Sequence, residues 1–401
     1  MRLKHVARIA VSSVDKKSAD DERPVRLCNY TDVYYNDRIT KDLDFMSATA
    51  SNAQLEDFRL FPGDVLITKD SETPDDIAVP ALVEASAEDL VCGYHLALIR
   101  PDEGLVEPRF LFWTLASTSA RSWFSSQATG VTRFGLRTQS IGDATVSLPS
   151  LRDQCAIADF LDAETARIDG LIEKKRHLLN LISLRRRAAI SEAIDSIKGE
   201  PLPLRRVVES FIDYRGATPE KAEGGVPLVT ATNVSEGEID FSLGEQFLSE
   251  ERYVEWMRRG FPEVGDVLLT TEAPLGEVAM ITNPRIALAQ RIILLKPNRR
   301  RVEPEFLYAS LRSPQVQADL LSRASGSTVW GIRADRLRDV RLFVPSLSEQ
   351  ERVVRTSQAV EVAYRRARGL LQEQMDLLRE HRQALITAAV TGELEFAKAI
   401  A

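Results

Sequence analysis

Residues 148–194 read LPSLRDQCAIADFLDAETARIDGLIEKKRHLLNLISLRRRAAISEAI. From Leu151 to about Ile197 there is no proline and one glycine, and apolar residues recur at threes and fours: Ile157, Leu161, Ile168, Leu171, Leu178, Ile182 and Ala189. The spacing predicts a single helix of about 45 residues, roughly 65 to 70 Å long at about 1.5 Å per residue and far longer than a small domain is wide. A helix with one apolar stripe cannot bury that stripe by itself. A second long helix is expected from near Ser348 through Val353, Val360, Leu371, Leu378, Leu385 and Val390, ending at Thr391-Gly392, with a poorer stripe that contains Gly369 and several arginines. The economical solution packs the two helices together, antiparallel, since the first leaves one globular part for the other and the last returns. The alternative is a helix folded back on its own domain, and the length argues against it.

Outward from this stretch the chain proves to be written twice. VEPRFLFWTLAS from Val106 corresponds to VEPEFLYASLRS from Val302, with seven identities in twelve positions. ATGVTRFGLR from Ala128 matches ASGSTVWGIR from Ala324, and LPSLRDQ from Leu148 matches VPSLSEQ from Val344; all three pairs keep an offset of 196. LKHVA from Leu3 aligns with LRRVV from Leu204, and GDVLITKD from Gly63 with GDVLLTTE from Gly265, at offsets of 201 and 202. The drop in offset implies about half a dozen loop residues missing from the second copy, expected between 281 and 302.

Each copy opens with short β-like runs and turn signals (FPGDVLIT and LVCGYHLALIR, then GDVLLTT and RIILLKP), followed by a single amphipathic helix after Pro108 or Pro304. The expected fold class is α+β: two similar mixed α/β domains, residues 1–150 and 202–345, separated by a long antiparallel two-helix coiled coil from residues 151–201 and 346–401, with a pseudo-twofold internal repeat.

Composition bounds the function. A chain of 401 residues with 44% hydrophobic content is expected to be folded, with no apolar run near the roughly 20 residues that span a bilayer. The start MRLKHVARIAVSS lacks a signal-peptide core, and the three scattered cysteines, Cys28, Cys92 and Cys155, fit a reducing compartment, so a cytoplasmic location is expected. His5, His95, His177 and His381 have no metal-ligand spacing, and no metal site is expected. The net charge of −7 taken alone opposes nucleic-acid binding, which rests on Lys and Arg neutralising phosphates. Its distribution matters more: residues 1–150 hold 16 basic and 22 acidic side chains, whereas Arg285, Arg291, Lys296, Arg299, Arg300 and Arg301 occur with no acid between 285 and 301. That stretch reads as a solvated strand-and-turn face or as phosphate contacts.

The grammar resembles the DNA specificity subunits of type I restriction-modification systems, and the resemblance covers essentially the whole chain. It is carried by SIGDATVSLPSLRDQCAIADFLDAETARID from Ser140, LIEKKRHLLNLISLRRRAAISEAI from Leu171, VRLFVPSLSEQERVV from Val340 and LLREHRQALITAAVTGEL from Leu377: a Pro-x-x-x-x-Gln turn entering a long helix. The resemblance implies two target-recognition domains that each read one half of a split asymmetric site on double-stranded DNA. It also implies a helix pair that sets the unread spacer and docks two adenine-N6 methyltransferase subunits, with restriction and motor subunits completing the assembly. AdoMet, ATP and Mg would belong to those partners, and this chain is expected to need no cofactor and to be no enzyme. One departure stands out: where the second copy has the family's glycine turn, Pro274-Leu275-Gly276, the first has Thr73-Pro74-Asp75-Asp76.

Candidate DNA contacts fall in two groups. Both copies carry Gly-x-Thr-x-aromatic-Gly-aliphatic-Arg: Gly130, Thr132, Arg133, Phe134, Gly135 and Arg137, then Gly326, Ser327, Thr328, Trp330, Gly331 and Arg333. Glycines admit close backbone approach, hydroxyls and arginines bond phosphates or guanine edges, and an aromatic can stack; the structural reading is a turn whose aromatic packs inward. Base reading itself belongs where the copies differ, beside expected strand ends: Asn29, Tyr30, Thr31 and Lys69, and Thr230, Thr232, Asn233, Thr271 and Arg291. Arg185, Arg186 and Arg187 near the end of the first long helix, and Arg382 in the second, read by default as solvent-exposed.

Catalytic readings fail on residue types. There is no cofactor-binding glycine motif after a strand and no Asn/Asp-Pro-Pro-aromatic motif for a flipped base; Asn283-Pro284-Arg285 lacks the second proline and the ring. There is no phosphate-binding Gly-x-x-x-x-Gly-Lys loop. Asp64 with Lys69 suggests a nuclease metal site less simply than a Gly-Asp turn into a buried strand. The competing class is a two-domain coiled-coil scaffold that binds no nucleic acid.

Overall fold

A computed structural model describes residues 1–214, 218–326 and 330–394 of the chain. The chain divides into two compact units, residues 1–175 with 372–401, and residues 176–371. The division runs through the long helices, Leu151–Asp195 and Leu347–Thr391, each unbroken over 45 residues, so every unit owns one α/β head and a segment of both helices.

In the first unit the central sheet runs in the order Ala7–Val11, Leu96–Pro101, Val65–Thr68, Pro80–Val83, Arg38–Ile39. Its middle strand is buried on both faces, as the run Val-Leu-Ile-Thr dictates. Val65 and Ile67 point to a core with Phe110, Phe112, Trp113 and the long-helix residues Ile157, Ala158, Leu161, Ile386, Ala389 and Val390. Leu66 points to the opposite core, with Cys28, Val33, Ile39, Leu90 and Leu98. The second unit repeats the scheme: Val208–Asp213, Ile292–Pro297, Val267–Thr271, Leu275–Met280 in order, with Val267, Leu269 and Leu295 on the helix side and Leu268, Ile292 and Leu294 on the other.

Within each unit the helix segments run antiparallel. In the first, Lys175 Nζ donates to Gln374 Oε1 (2.6 Å), Arg382 pairs with Asp169 (3.1 Å), and Leu161 shares a core with Ala389. In the second, Arg186 meets Glu361 (3.6 Å) and stacks 4.2 Å over the Tyr364 ring. Partner numbers rise along one helix as they fall along the other, as counter-running helices require.

Several expectations need correction. Leu171 and Leu178 are exposed and Ile172 is buried, because the inward face repeats as Gln154, Ala158, Leu161, Thr165, Ile168, Ile172, a four-three spacing that admits polar residues. Arg186 is buried at 4% side-chain exposure, held by Glu236, Glu361 and Tyr364, not solvated. The single helix expected after each proline is a pair: Pro108–Ala116 then Thr118–Gln127, and Pro304–Leu311 then Pro314–Ser322, the second of each pair capped by Ser117 or Ser313. The first of each pair is buried nearly all round, not amphipathic. Four of the missing loop residues lie earlier than expected, and two fall inside the expected window. Val79 N and Glu277 N each donate to the matching threonine, Thr68 and Thr270, so four residues are lost before Glu277. Two more go between Ile281 and Leu288, whose equivalents are Val83 and Cys92.

Candidate nucleic-acid interface

The Pro-x-x-x-x-Gln motif clips each head to its helix. Gln154, almost fully buried, accepts the Glu107 N–H (2.9 Å) and donates to the carbonyls of Leu105 (3.0 Å) and Pro149 (3.0 Å). Gln350 does the same toward Glu303 N (2.8 Å), Arg301 O (2.9 Å) and Pro345 O (3.0 Å). A primary amide offers both donors and an acceptor, which a carboxylate or an alkyl chain cannot. Beside it, the Gly-Asp turn aims a buried acid at a strand cation: Asp64 takes Arg100 Nε (2.7 Å) and Nη2 (2.8 Å), and Asp266 takes Lys296 (2.9 Å). Asp64 is thereby a structural anchor with Arg100 as its partner, and among the described residues no group of three or more His, Cys, Asp or Glu could hold a metal ion.

The glycine motif is a hairpin in the first unit. Thr129–Gly130 pairs with Phe134–Gly135, which pairs in turn with Asp70–Ser71. Gly130 has φ +154, and a Cβ there would lie 1.9 Å from the Arg133 carbonyl oxygen, so the turn admits glycine alone. Its tip is open: Val131 is 94% exposed, and Thr132, Arg133 and Arg137 are exposed as well. In the second unit Gly331 bridges both Ser325 and Glu272, and Ile332 N donates to Thr271 O (3.0 Å) as Leu136 N does to Lys69 O (3.0 Å). Gly326 and Arg333 are exposed, and Trp330 is 60% exposed where Phe134 is half-buried, so the aromatic of the second copy faces out. Ser327 and Thr328 lie outside the described residues.

The strand ends converge on the hairpin. Lys69 Nζ bonds both oxygens of Asp70 (2.9 Å each), and His95 Nδ1 stands 2.7 Å from Asp70 Oδ2. Burial alone would raise the Asp70 carboxyl, but hydrogen bonds from His95 and Lys69 outweigh it and hold it below its ordinary value. Tyr30 packs against the same edge, its hydroxyl pushed up by burial and by the Asp76 charge and eased down by Ser71 and Arg133. Asn29 opens the short helix Tyr30–Tyr34 as a capping box with Asp32, leaving Thr31 exposed. Thr230 and Asn233 form the matching box, which leaves Thr232 exposed.

Two base-reading expectations are overturned by that match. Asn233 is fully buried because its amide binds Thr230 N (2.9 Å) and the carbonyls of Asp240 (3.1 Å) and Gly244 (2.7 Å); it braces a loop and reaches no surface. Thr271 is also buried, with its hydroxyl inside the head. Arg291 stays exposed, ion-paired with Glu272 (3.1 Å). Sequence reasoning missed Asp70, Glu272 and His95. The repeat held the signal: Asp70 and Glu272 match at offset 202, and His95 and Arg291 at 196, the carbonyl of each of the last two accepting from Lys69 N or Thr271 N at 2.8 Å.

Comparison with known proteins points one way. Residues 219–362 match the family model described as the type I restriction modification DNA specificity domain. The chain is 20% identical over 348 residues to the type I restriction enzyme EcoBI specificity subunit of Escherichia coli, covering 79% of this chain and 71% of that one. It is 31% identical over 145 residues to the MjaIX specificity subunit of Methanocaldococcus jannaschii, covering 34% and 33%. In fold it resembles a chain solved in work on complex assembly and conformational transition of the type I R-M system, with TM-score 0.70, 18% identity and coverage of 98% and 97%. It also resembles the HsdS subunit from Thermoanaerobacter tengcongensis, with TM-score 0.50, 18% identity and coverage of 98% and 96%. The matched model covers most of the second head with the start of its long helix, and the first head repeats the order of that head's four central strands; in sequence and in fold the chain is similar to the type I restriction-modification DNA specificity subunits.

Proposed function

We propose that this chain selects DNA sequence for a type I restriction-modification assembly, each head reading one half of a split, asymmetric double-stranded site. The observation that carries the reading is one edge built twice from the same backbone bonds, yet furnished with different side chains. Lys69, His95 and Arg133 stand in the first unit where Thr271, Arg291 and Val329 stand by sequence in the second. A shared frame with unshared polar groups suits two readers of two different half-sites, since base edges are told apart by the donors and acceptors set against them. Exposed Thr31, Thr132, Arg133 and Arg137, with half-buried Asn29, Tyr30 and Lys69, are the groups for one half-site; Thr230, Thr232, Arg291, Trp330 and Arg333 are those for the other.

The chain supplies specificity and leaves the chemistry to partners: two adenine-N6 methyltransferase subunits carrying AdoMet, and restriction or motor subunits using ATP and Mg. Long unbroken helices offer those subunits a docking surface and fix the unread interval. No helix among the described residues is long and apolar enough to cross a membrane. The test is co-expression with the methyltransferase subunit, followed by single-molecule sequencing of N6-methyladenine in host DNA. A two-part asymmetric motif with a fixed gap is expected; methylation of an undivided motif, or none that depends on this chain, would overturn the proposal.

A further inference from the structure

The two heads place an acid at the same point and use it differently. In the second unit Glu272 grips Arg291 directly, Oε1 to Nε at 3.1 Å, and the guanidinium stays more than half exposed. In the first unit the residue equivalent to Arg291 is His95, and the acid, Asp70, grips that ring at Nδ1. Asp70 is an ionised carboxylate without a proton to give, so Nδ1 carries the hydrogen and donates it. In its neutral form the ring presents Nε2 as an acceptor on its far side. Arg133 Nη2, from the tip of the hairpin, stands 3.5 Å from that nitrogen. The Tyr94 ring, with its centroid 3.7 Å from that of His95, fixes the plane. At the position of Arg133 the second copy has Val329. In each copy an arginine is thus tied to this acid, through His95 and from the hairpin in the first, directly and from the strand start in the second.

We infer that His95 is a positioning residue for Arg133, extending the reach of Asp70 by one ring, and that Arg133 and Arg291 are the equivalent specificity-determining residues of the two heads, each directed at a guanine edge. The inference rests on the proposed DNA-reading function. A guanidinium is the side chain whose donor pair fits guanine O6 and N7 together, and it does so only when its plane is held. Direct anchoring by Glu272 and relayed anchoring through His95 are two ways of holding it.

The experiment uses the full chain in complex with its methyltransferase subunits, AdoMet and a double-stranded DNA library randomised across both half-sites, reading N6-methyladenine against sequence. Arg133→Ala is expected to relax one guanine position of one half-site by about tenfold to a hundredfold, and Arg291→Ala one position of the other. His95→Ala is expected to relax the same position as Arg133→Ala, to add nothing in the double variant, and to leave the other half-site unchanged; His95→Gln, which keeps an acceptor, restores part of the preference. Unchanged preference in His95→Ala, full additivity with Arg133→Ala, or loss spread over both half-sites would overturn the inference. A wild-type complex that marks no split site overturns the parent reading and this one with it, whereas wild-type marking with unaltered variants sinks this one alone.

Discussion

The first head is acidic and the second carries the basic turn, yet both present the same edge. At the helix-proximal end of the sheet the turn Asn298-Arg299-Arg300-Arg301 of the second copy stands where the first has Asp102-Glu103-Gly104-Leu105. There the sign of charge has reversed without any change of backbone, since Asn298 N donates to Val207 O as Asp102 N does to Val6 O. At the hairpin edge the acid is kept and the cation it holds is changed. What the copies keep is therefore geometry enforced by buried hydrogen bonds; what they vary is charge that water can screen.

The sharpest way to break this comparison is at the buried amides. Gln154→Ala or Gln350→Ala strands one N–H and two carbonyls at a helix-to-head joint. Each variant is expected to lose about 3 kcal/mol or somewhat more in denaturant unfolding, at roughly 1 kcal/mol or more for each stranded group. The two losses should be equal, because the geometry is, and an unequal pair would mean that the joints are not equivalent.

A smaller and asymmetric effect is expected where matched arginines differ in burial. Arg186 and Arg382 correspond at offset 196, and each reaches a carboxylate of its own head, Glu236 or Asp37. Arg186 is nearly sealed and Arg382 is 22% exposed with exposed partners. Arg186→Ala should cost about 2 to 3 kcal/mol, having removed a buried side chain from the Tyr364 ring and left part-buried Glu361 to Arg312 alone, and Arg382→Ala under about 1 kcal/mol. Equal costs in unfolding experiments would remove burial as the distinguishing factor.

Much of this was legible in the sequence. The repeat, the two long helices and their antiparallel sense followed from an offset and a periodicity, because both are set by residues whose burial is unconditional. The Pro-x-x-x-x-Gln motif was visible as a motif, and two of its three hydrogen bonds were not, since they close onto residues some fifty positions away. The hairpin edge was half visible. Arg133 and Arg291 stood out as arginines, but the acid beneath them is supplied by a different strand. Asn233 and Thr271 had side chains suited to bases and proved internal, because a cap or a strand interior uses the same groups that a base edge would. The helix stripe misled at Leu171 and Leu178 for a related reason: buried Thr165 and Arg186 occupy inward positions that hydropathy assigns outward.

The hairpin offers a local test of the shared frame. Gly130→Ala sets a Cβ against the Arg133 carbonyl and cannot be relieved by a side-chain rotation, since the clash is with backbone. About 1 to 2 kcal/mol of local stability should go, enough to open the hairpin while the head stays folded. Under the proposed function, methylation falls through one half-site only, with the sequence preference of the other intact. Loss at both would mean that the hairpin serves the assembly as a whole.

The smallest expected effect is a dependence on pH at Asp70. Asp70 has its folded-state pKa below the ordinary 3.8, since hydrogen bonds from His95 and Lys69 overcome the cost of its burial. A depressed carboxyl contributes stability that is fully present above the unfolded value and drains away as pH falls through the folded one. The gap in stability between wild type and Asp70→Asn should therefore be level above pH 3.8 and close below it. Lys69 and His95 both donate to this carboxylate, so its loss also frees the ring that holds Arg133. Amide hydrogen exchange across residues 129–135 should rise in Asp70→Asn at neutral pH, where the wild-type carboxylate is ionised and holds both donors. Unaltered exchange there would mean that the hairpin is held by its backbone ladder alone, and that the acid steadies the cation without steadying the turn.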